Sequence, residues 1–346
     1  MAQRCFHPSI EGAQHGPKGL EGFLDFAKKS GAEGAQPSNF MIEDGKGGFK
    51  SAKEIKNAFE SRGLKIDGFS SHCVFWVHTT AWTGSPTIRP FISAEVAKKS
   101  PQEIEQWAED YIMRFYDLMA ELGVKILPMF WGTAFGWEVA TGYPWGFFAG
   151  GDYDLIKEGQ ERFVKKTAKI RARANSLGLY LAHEIHPGTA AMCADDFNML
   201  VDICDGDKCL GVNVDPSHCW EGENWETRFL KVGPRCYGCH VKNHVVRPGF
   251  PLRAIQADWQ KRAMQFTDIP TGDINMMRFT ELMIHVGYPK RYCEVMGAET
   301  APLVVEAESA YRDPDATSAN GIQYVRDNLC FPIASGSFED GMGADK

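Results

Sequence analysis

The stretch Leu179-Tyr-Leu-Ala-His-Glu184 is a short apolar run that begins after Gly178, where a long helical pattern from Tyr153 to Leu177 stops, and it ends on a carboxylate. An amphipathic helix, a glycine stop and a brief apolar strand form the repeating unit of a parallel sheet. The same unit recurs on both sides. Upstream, helical patterns over Lys18–Ser30, Ser51–Arg62 and Pro101–Leu122 each precede a short run, at Glu33–Pro37, Leu64–Ser70 and Val124–Phe130. Downstream, Ala194–Cys204 leads to Cys209–Asp215, and Trp225–Lys231 leads to Cys236–Lys242. Ile274–His285 precedes a strand expected at Arg291–Val295, and a last helix is expected over Ala301–Asn328. With Arg4–His7 as a first strand, eight strands alternate with helices, which predicts one closed (β/α)8 barrel, a TIM barrel. A doubly wound dinucleotide-binding sheet would need a Gly-x-Gly-x-x-Gly turn, and none follows a strand here.

No low-complexity tract or linker divides the 346 residues, so residues 1–346 are expected to form a single domain with a tail from about 330 to 346. Three connections are too long for turns: Ser71–Ser100, Trp131–Asp152 and His244–Asp273. Each follows a strand, which puts it at the C-terminal rim of a barrel, where substrate loops belong.

The composition, 44% hydrophobic and 24% charged, is that of a globular protein. A net charge of -8 offers no basic field for phosphate backbones, which argues against nucleic acid or an anionic membrane as partner. No stretch is apolar for long enough to span a bilayer, and the first residues lack the apolar core of a signal peptide, so a cytoplasmic location is expected. The ten cysteines then read as thiols rather than a disulfide framework. Cys236 and Cys239, three apart on a strand, point to opposite faces and do not make a zinc knuckle.

Four expected strands end on a metal-ligand type: Glu184, Asp215, His240 and Glu294, separated by 31, 25 and 54 positions. One carboxylate at a strand end is usually a cap or an ion-pair partner, but four on successive strands converge on one side of the barrel mouth. Three oxygens and one nitrogen suit a single hard or borderline divalent ion, manganese first, with cobalt or magnesium as alternatives. His186 shares strand parity with Glu184 and is either a base or a rim histidine bonded to the backbone. Lys242 shares parity with His240 and either holds an oxyanion or pairs with a metal carboxylate. His183 has the opposite parity and is expected behind the barrel. Large aromatics crowd the rim connections, among them Trp131, Trp137 and Trp145, with no Lys or Arg between Trp131 and Asp152. They form either walls for a flat apolar group or a lid packed on itself.

The segments His183-Glu-Ile-His-Pro-Gly188, Val212-Asn-Val-Asp-Pro-Ser-His218, His240-Val-Lys-Asn243, Gly272-Asp273 and Gly287-Tyr-Pro289 resemble the xylose-isomerase-like sugar phosphate isomerase and epimerase superfamily. The resemblance runs from about Leu179 onward. It implies a metal on Glu184, Asp215, His240 and Glu294, and a substrate contact at His218. His186, Lys242 and His218 are the candidate catalytic residues, with His218 better suited as a substrate contact than as a base. Two departures speak against plain ketose epimerisation: the second glutamate of ketose 3-epimerases is Ala190 here, and the usual His-x-Lys-Asp ends on Asn243.

Within the superfamily, His7-Pro-Ser-Ile-Glu-Gly12, the region Ser71–His78 and the long insertion after His244 resemble the larger subunit of bacterial C-glycoside deglycosidases. That resemblance implies a lyase that removes the proton next to a sugar carbonyl and releases the aglycone of a 3-oxo-C-glycoside. It also implies a smaller β-sandwich partner subunit and an oligomeric assembly. The alternative is a sugar isomerase or 3-epimerase. An apurinic endonuclease of the same superfamily, suggested by His72 after the third strand, is opposed by the acidic charge; otherwise His72 is a candidate substrate contact.

Overall fold

The structure, a computed structural model, describes residues 4–134, 155–219, 222–251, 261–309 and 311–332. Six parallel strands form one curved sheet: β1 (Phe6–Ile10), β4 (Ile126–Met129), β5 (Tyr180–Glu184), β6 (Leu210–Val214), β7 (Cys236–Val241) and β10 (Ala301–Val305), in the order β1-β10-β7-β6-β5-β4. Two short strands, β2 (Gly34–Ala35) and β3 (Lys65–Ile66), pair in parallel and bridge its ends. The Gln36 N–H donates to Ile10 O at 2.8 Å on one side, and the Ser71 N–H donates to Pro128 O at 3.1 Å on the other. The sheet is therefore a closed eight-stranded barrel, as the alternation predicts.

Local chemistry sets the helix ends. Helix α4 (Pro101–Leu122) starts with a reciprocal cap between Ser100 and Glu103, with proline in its first turn, and stops at Gly123 in the left-handed conformation. Among its buried residues Ile104, Ala108, Tyr111, Ile112, Phe115 and Met119 recur at helical spacing. The first of the three long connections contains α3 (His72–Thr80), and the third contains the antiparallel hairpin β8 (Asn243–Val246) and β9 (Met264–Thr267). Most of the second lies outside the described residues, with Trp137 and Trp145 in it. None of the ten cysteines forms a disulfide.

The last unit departs from expectation. Arg291–Val295 is not a strand: it belongs to α9 (Tyr288–Met296), framed by Gly287 (φ 76°) and Gly297 (φ 66°), with Pro289 in its first turn. Tyr288 and Tyr292, four apart, are buried, while Lys290 and Glu294 share the outer face 3.9 Å apart. The side chain of Glu294 is 65% exposed, so it is a surface ion-pair partner on a helix rather than a barrel ligand. The eighth barrel strand is instead β10, where a helix was expected to begin. Its Pro302 argues locally against a central strand, yet all five residues stay in register with β1 from Phe6↔Ala301 to Ile10↔Val305. Closing the barrel between β1 and β7 outweighs the missing N–H. The final helix, α10, runs only over Pro314–Tyr324.

Candidate metal centre and substrate cavity

Glu184 ends β5, Asp215 and Glu306 follow β6 and β10, and His240 is the penultimate residue of β7; each offers one ligand atom within 4.8 Å of the others. All four are buried. His240 Nδ1 lies 2.7 Å from Glu184 Oε2 and 2.9 Å from Glu306 Oε2, and neither contact has hydrogen-bond geometry. Asp215 Oδ2 and Glu306 Oε2 are likewise buried without a hydrogen-bond partner. Buried polar atoms are normally satisfied, so lone pairs that converge and remain unpaired describe a cation cage.

The surrounding groups prepare these atoms. Gln36 Oε1 can only accept, and it lies 3.1 Å from His240 Nε2. The His240 proton therefore sits on Nε2, which leaves the Nδ1 lone pair facing the cage. Asn213 Nδ2 donates to Glu184 Oε2 at 2.9 Å, and the Ser217 N–H donates to Asp215 Oδ1 at 2.7 Å. Gly238 makes room for this support, since a Cβ there would stand 2.5 Å from Asn213 Oδ1. Burial raises the cost of every charge, yet the mutual attraction within the cage prevails. It holds the Glu184 carboxyl well below its usual range.

The cage opens into a cavity of about 320 Å3 lined by His72, His186, His218, Lys242, Glu11 and Glu308, among others. Burial would lower His218, but Asp215 and Glu184, each 3.2 Å from its Nε2, hold it up at about 9. His186 is pushed down to about 3 by burial and then by His218, whose ring lies 4.0 Å away. Its Nδ1 is 2.7 Å from Pro187 O, so the proton sits on Nδ1 and the Nε2 lone pair is left for other use. Lys242 Nζ lies 2.6 Å from Glu308 Oε2 and 3.2 Å from Glu306 Oε1, above the Phe266 ring. The salt-bridge reading of Lys242 is therefore the one the geometry shows. His72 Nε2 stands 3.4 Å from Glu184 Oε2.

Of the predicted ligands, Glu184, Asp215 and His240 come together and Glu294 does not; Glu306 occupies the place assigned to it. Trp131 is also corrected as a substrate contact. Its side chain is fully buried, edge-on to Phe75 and Phe163, and is not part of the lining of the cavity at the cage. His183 lies behind the barrel, where it accepts the Trp131 N–H at 3.0 Å. Glu306, Glu11, Gln36 and Glu308 were not singled out from sequence. Pro8-Ser-Ile-Glu11 and Leu303-Val-Val-Glu306, each a short run ending on glutamate, carry the same signal as the strands that were read correctly.

A family profile described as the xylose isomerase-like TIM barrel matches residues 24–326. The chain belongs to this family. Its match to the Escherichia coli 3-keto-D-glucoside 4-epimerase YcjR has a TM-score of 0.58 at 14% identity, over 94% of this chain and 99% of that one. The match to the D-allulose 3-epimerase of Methylomonas sp. has a TM-score of 0.56 at 12% identity, over 95% and 99% of the two chains. A xylose isomerase-like barrel protein of Mycobacterium smegmatis, solved with magnesium, matches with a TM-score of 0.55 at 16% identity, over 95% and 97%. At these identities the likeness is one of fold. No curated protein sequence matches the chain.

Proposed function

We propose that this chain is a divalent-metal-dependent sugar isomerase or epimerase that removes the proton on the carbon next to a ketone of an unphosphorylated sugar. The observation that carries this reading is the buried cage of Glu184, Asp215, His240 and Glu306, with unpaired atoms on the last three, opening into a cavity that holds the neutral imidazole of His186. The donor set favours manganese, with cobalt or magnesium as alternatives. Magnesium in a structural relative agrees with a hard cation. When bound, such an ion acts as a Lewis acid that lowers the cost of negative charge on a neighbouring substrate oxygen.

The protein's own groups supply the rest. His186, proton fixed on Nδ1, presents Nε2 as the base for the carbon-bound proton. His218, held protonated by two carboxylates, is suited to donate to a substrate oxygen. Lys242 is committed to Glu306 and Glu308, and no arginine lines the cavity among the described residues. A phosphate would find no uncommitted lysine or arginine there, which argues for a neutral sugar.

A specific observation supports a second reading, the elimination of an aglycone from a 3-oxo-glycoside. An apolar chamber of about 320 Å3, walled by Trp76, Phe91, Phe130 and Pro187, shares Cys73, Phe91, Phe130 and His186 with the polar cavity. It suits a flat apolar group attached to a sugar seated at the cage. The test is incubation of manganese-loaded protein in deuterium oxide with ketohexoses and with an aryl 3-oxo-glucoside. Deuterium at the carbon next to the carbonyl together with an epimer or isomer is the expected result. Aglycone release without epimer selects the elimination, and a result with no deuterium in any sugar and no aglycone release overturns both.

A further inference from the structure

Glu11 follows β1 as Asp215 and Glu306 follow their strands, at the same end of the barrel as Glu184 and His240, and no role in the cage accounts for it. Ile10 is in register with Val305, so Glu11 stands level with Glu306. Its side chain is 2% exposed. The Ala13 N–H fixes Oε2 at 2.7 Å, while Oε1 is buried without a hydrogen-bond partner. The carboxyl lines the cavity but is not one of the four groups that converge on the cation position. The cavity's lysine, Lys242, is already taken by Glu306 and Glu308. A buried carboxyl with one oxygen pinned and the other unsatisfied is costly to keep, and is found where a substrate completes it.

Position gives it a use. Round the closed barrel, β1 and β5 are four strands apart in either direction, so Glu11 and His186 line one cavity from opposite sides. Inverting a carbon next to a carbonyl requires a proton to leave from one face and another to arrive on the other. We propose that Glu11 is the second acid–base residue of the site, working opposite His186 on the two faces of one substrate carbon.

In the step, His186 Nε2 takes the proton from the carbon. The C–H electron pair becomes a C=C bond, and the carbonyl π pair moves onto oxygen. Glu11, entering as the acid, then gives its proton to the same carbon from the other face. The C=C pair forms the new C–H bond, the carbonyl is restored, and Glu11 is left as carboxylate with His186 protonated. In the reverse direction the two exchange roles, so the reaction needs no oxidant or further reactant.

This assignment rests on the isomerase or epimerase reading above, and the experiment separates the two. Manganese-loaded wild type and Glu11→Gln are incubated in deuterium oxide with D-fructose, D-allulose and an aryl 3-oxo-glucoside. Metal content and the melting temperature of the metal-free protein are measured alongside. Glu11→Gln is expected to bind manganese as wild type does, to melt no lower, and still to wash deuterium into recovered substrate, while epimer formation falls at least ~100-fold. Glu11→Asp, which keeps the acid, recovers part of that loss. Epimer formation near the wild-type rate in Glu11→Gln overturns the assignment and leaves the functional reading standing. Loss of metal or a lower melting temperature in Glu11→Gln makes Glu11 a structural residue. Aglycone release without epimer, or no exchange in wild type, removes the functional reading and this assignment with it.

Discussion

Glu306 and Glu294 are both glutamates near the end of the chain, and only their surroundings separate them. Glu306 is buried 2.9 Å from His240 Nδ1, whereas Glu294 shares an exposed helix face with Lys290. Glu306→Gln is expected to weaken manganese binding beyond the roughly 10–100-fold that loss of an outer partner costs, and Glu294→Gln to leave it unchanged, both read by calorimetry. Equal effects of the two substitutions would remove Glu306 from the cage. Gln36 belongs at the same scale. Gln36→Leu leaves His240 free to turn its proton toward the cage, so manganese affinity is expected to fall ~10–100-fold with the fold intact by circular dichroism. Asp215 and His240 were legible in sequence because each ends an apolar run bounded by a helix pattern and a turn. Gln36 was not, since its role depends on a partner 204 positions away.

At the scale of elements, α9 shows how a local pattern misleads. Arg291-Tyr-Cys-Glu294 reads like the other short runs that end on a carboxylate, yet glycines at both ends and Pro289 frame a helix whose buried tyrosines are four apart. Periodicity over four residues does not separate the two structures, and the caps decide. Helix α3 carries a pH prediction. His78 is 1% exposed, and burial, then Lys166 and Lys169, push it down to about 3. The folded state thus keeps it neutral, while the unfolded chain takes up a proton below about 6.5. Its contribution is complete above about pH 6.5 and is lost as pH falls toward 3, at about 1.4 kcal/mol per pH unit. Urea unfolding at pH 7 and pH 4.5 is expected to show a smaller loss for His78→Gln than for wild type. An identical loss would mean that His78 is protonated in the folded protein.

For the whole molecule, the four cage residues come from four strands spread from Glu184 to Glu306, so an ion bound among them ties half of the barrel together. A cation that binds only the folded state stabilises it by about 2.7 kcal/mol when free metal is 100 times the dissociation constant. Manganese is accordingly expected to raise the melting temperature and a chelator to reverse the rise, an effect that Glu306→Gln abolishes. A melting temperature indifferent to metal and chelator would argue against a folded-state site. No helix of the described residues is long and apolar enough to cross a membrane.

The sequence by itself determined the alternation of helix and strand, the closed parallel barrel and three of the four cage residues. These follow from short-range physics: apolar periodicity, caps and the termination of strands on polar residues. Only the tertiary structure decided that Glu306, not Glu294, joins the buried cluster, that Lys242 is committed to Glu306 and Glu308, and that Glu11 lines the same cavity as His186. The eighth strand exists because closing the barrel supplies it with two partners, and partners distant in sequence leave no trace in a local pattern. The same holds for the unpaired oxygen of Glu11, which only the burial around it makes significant.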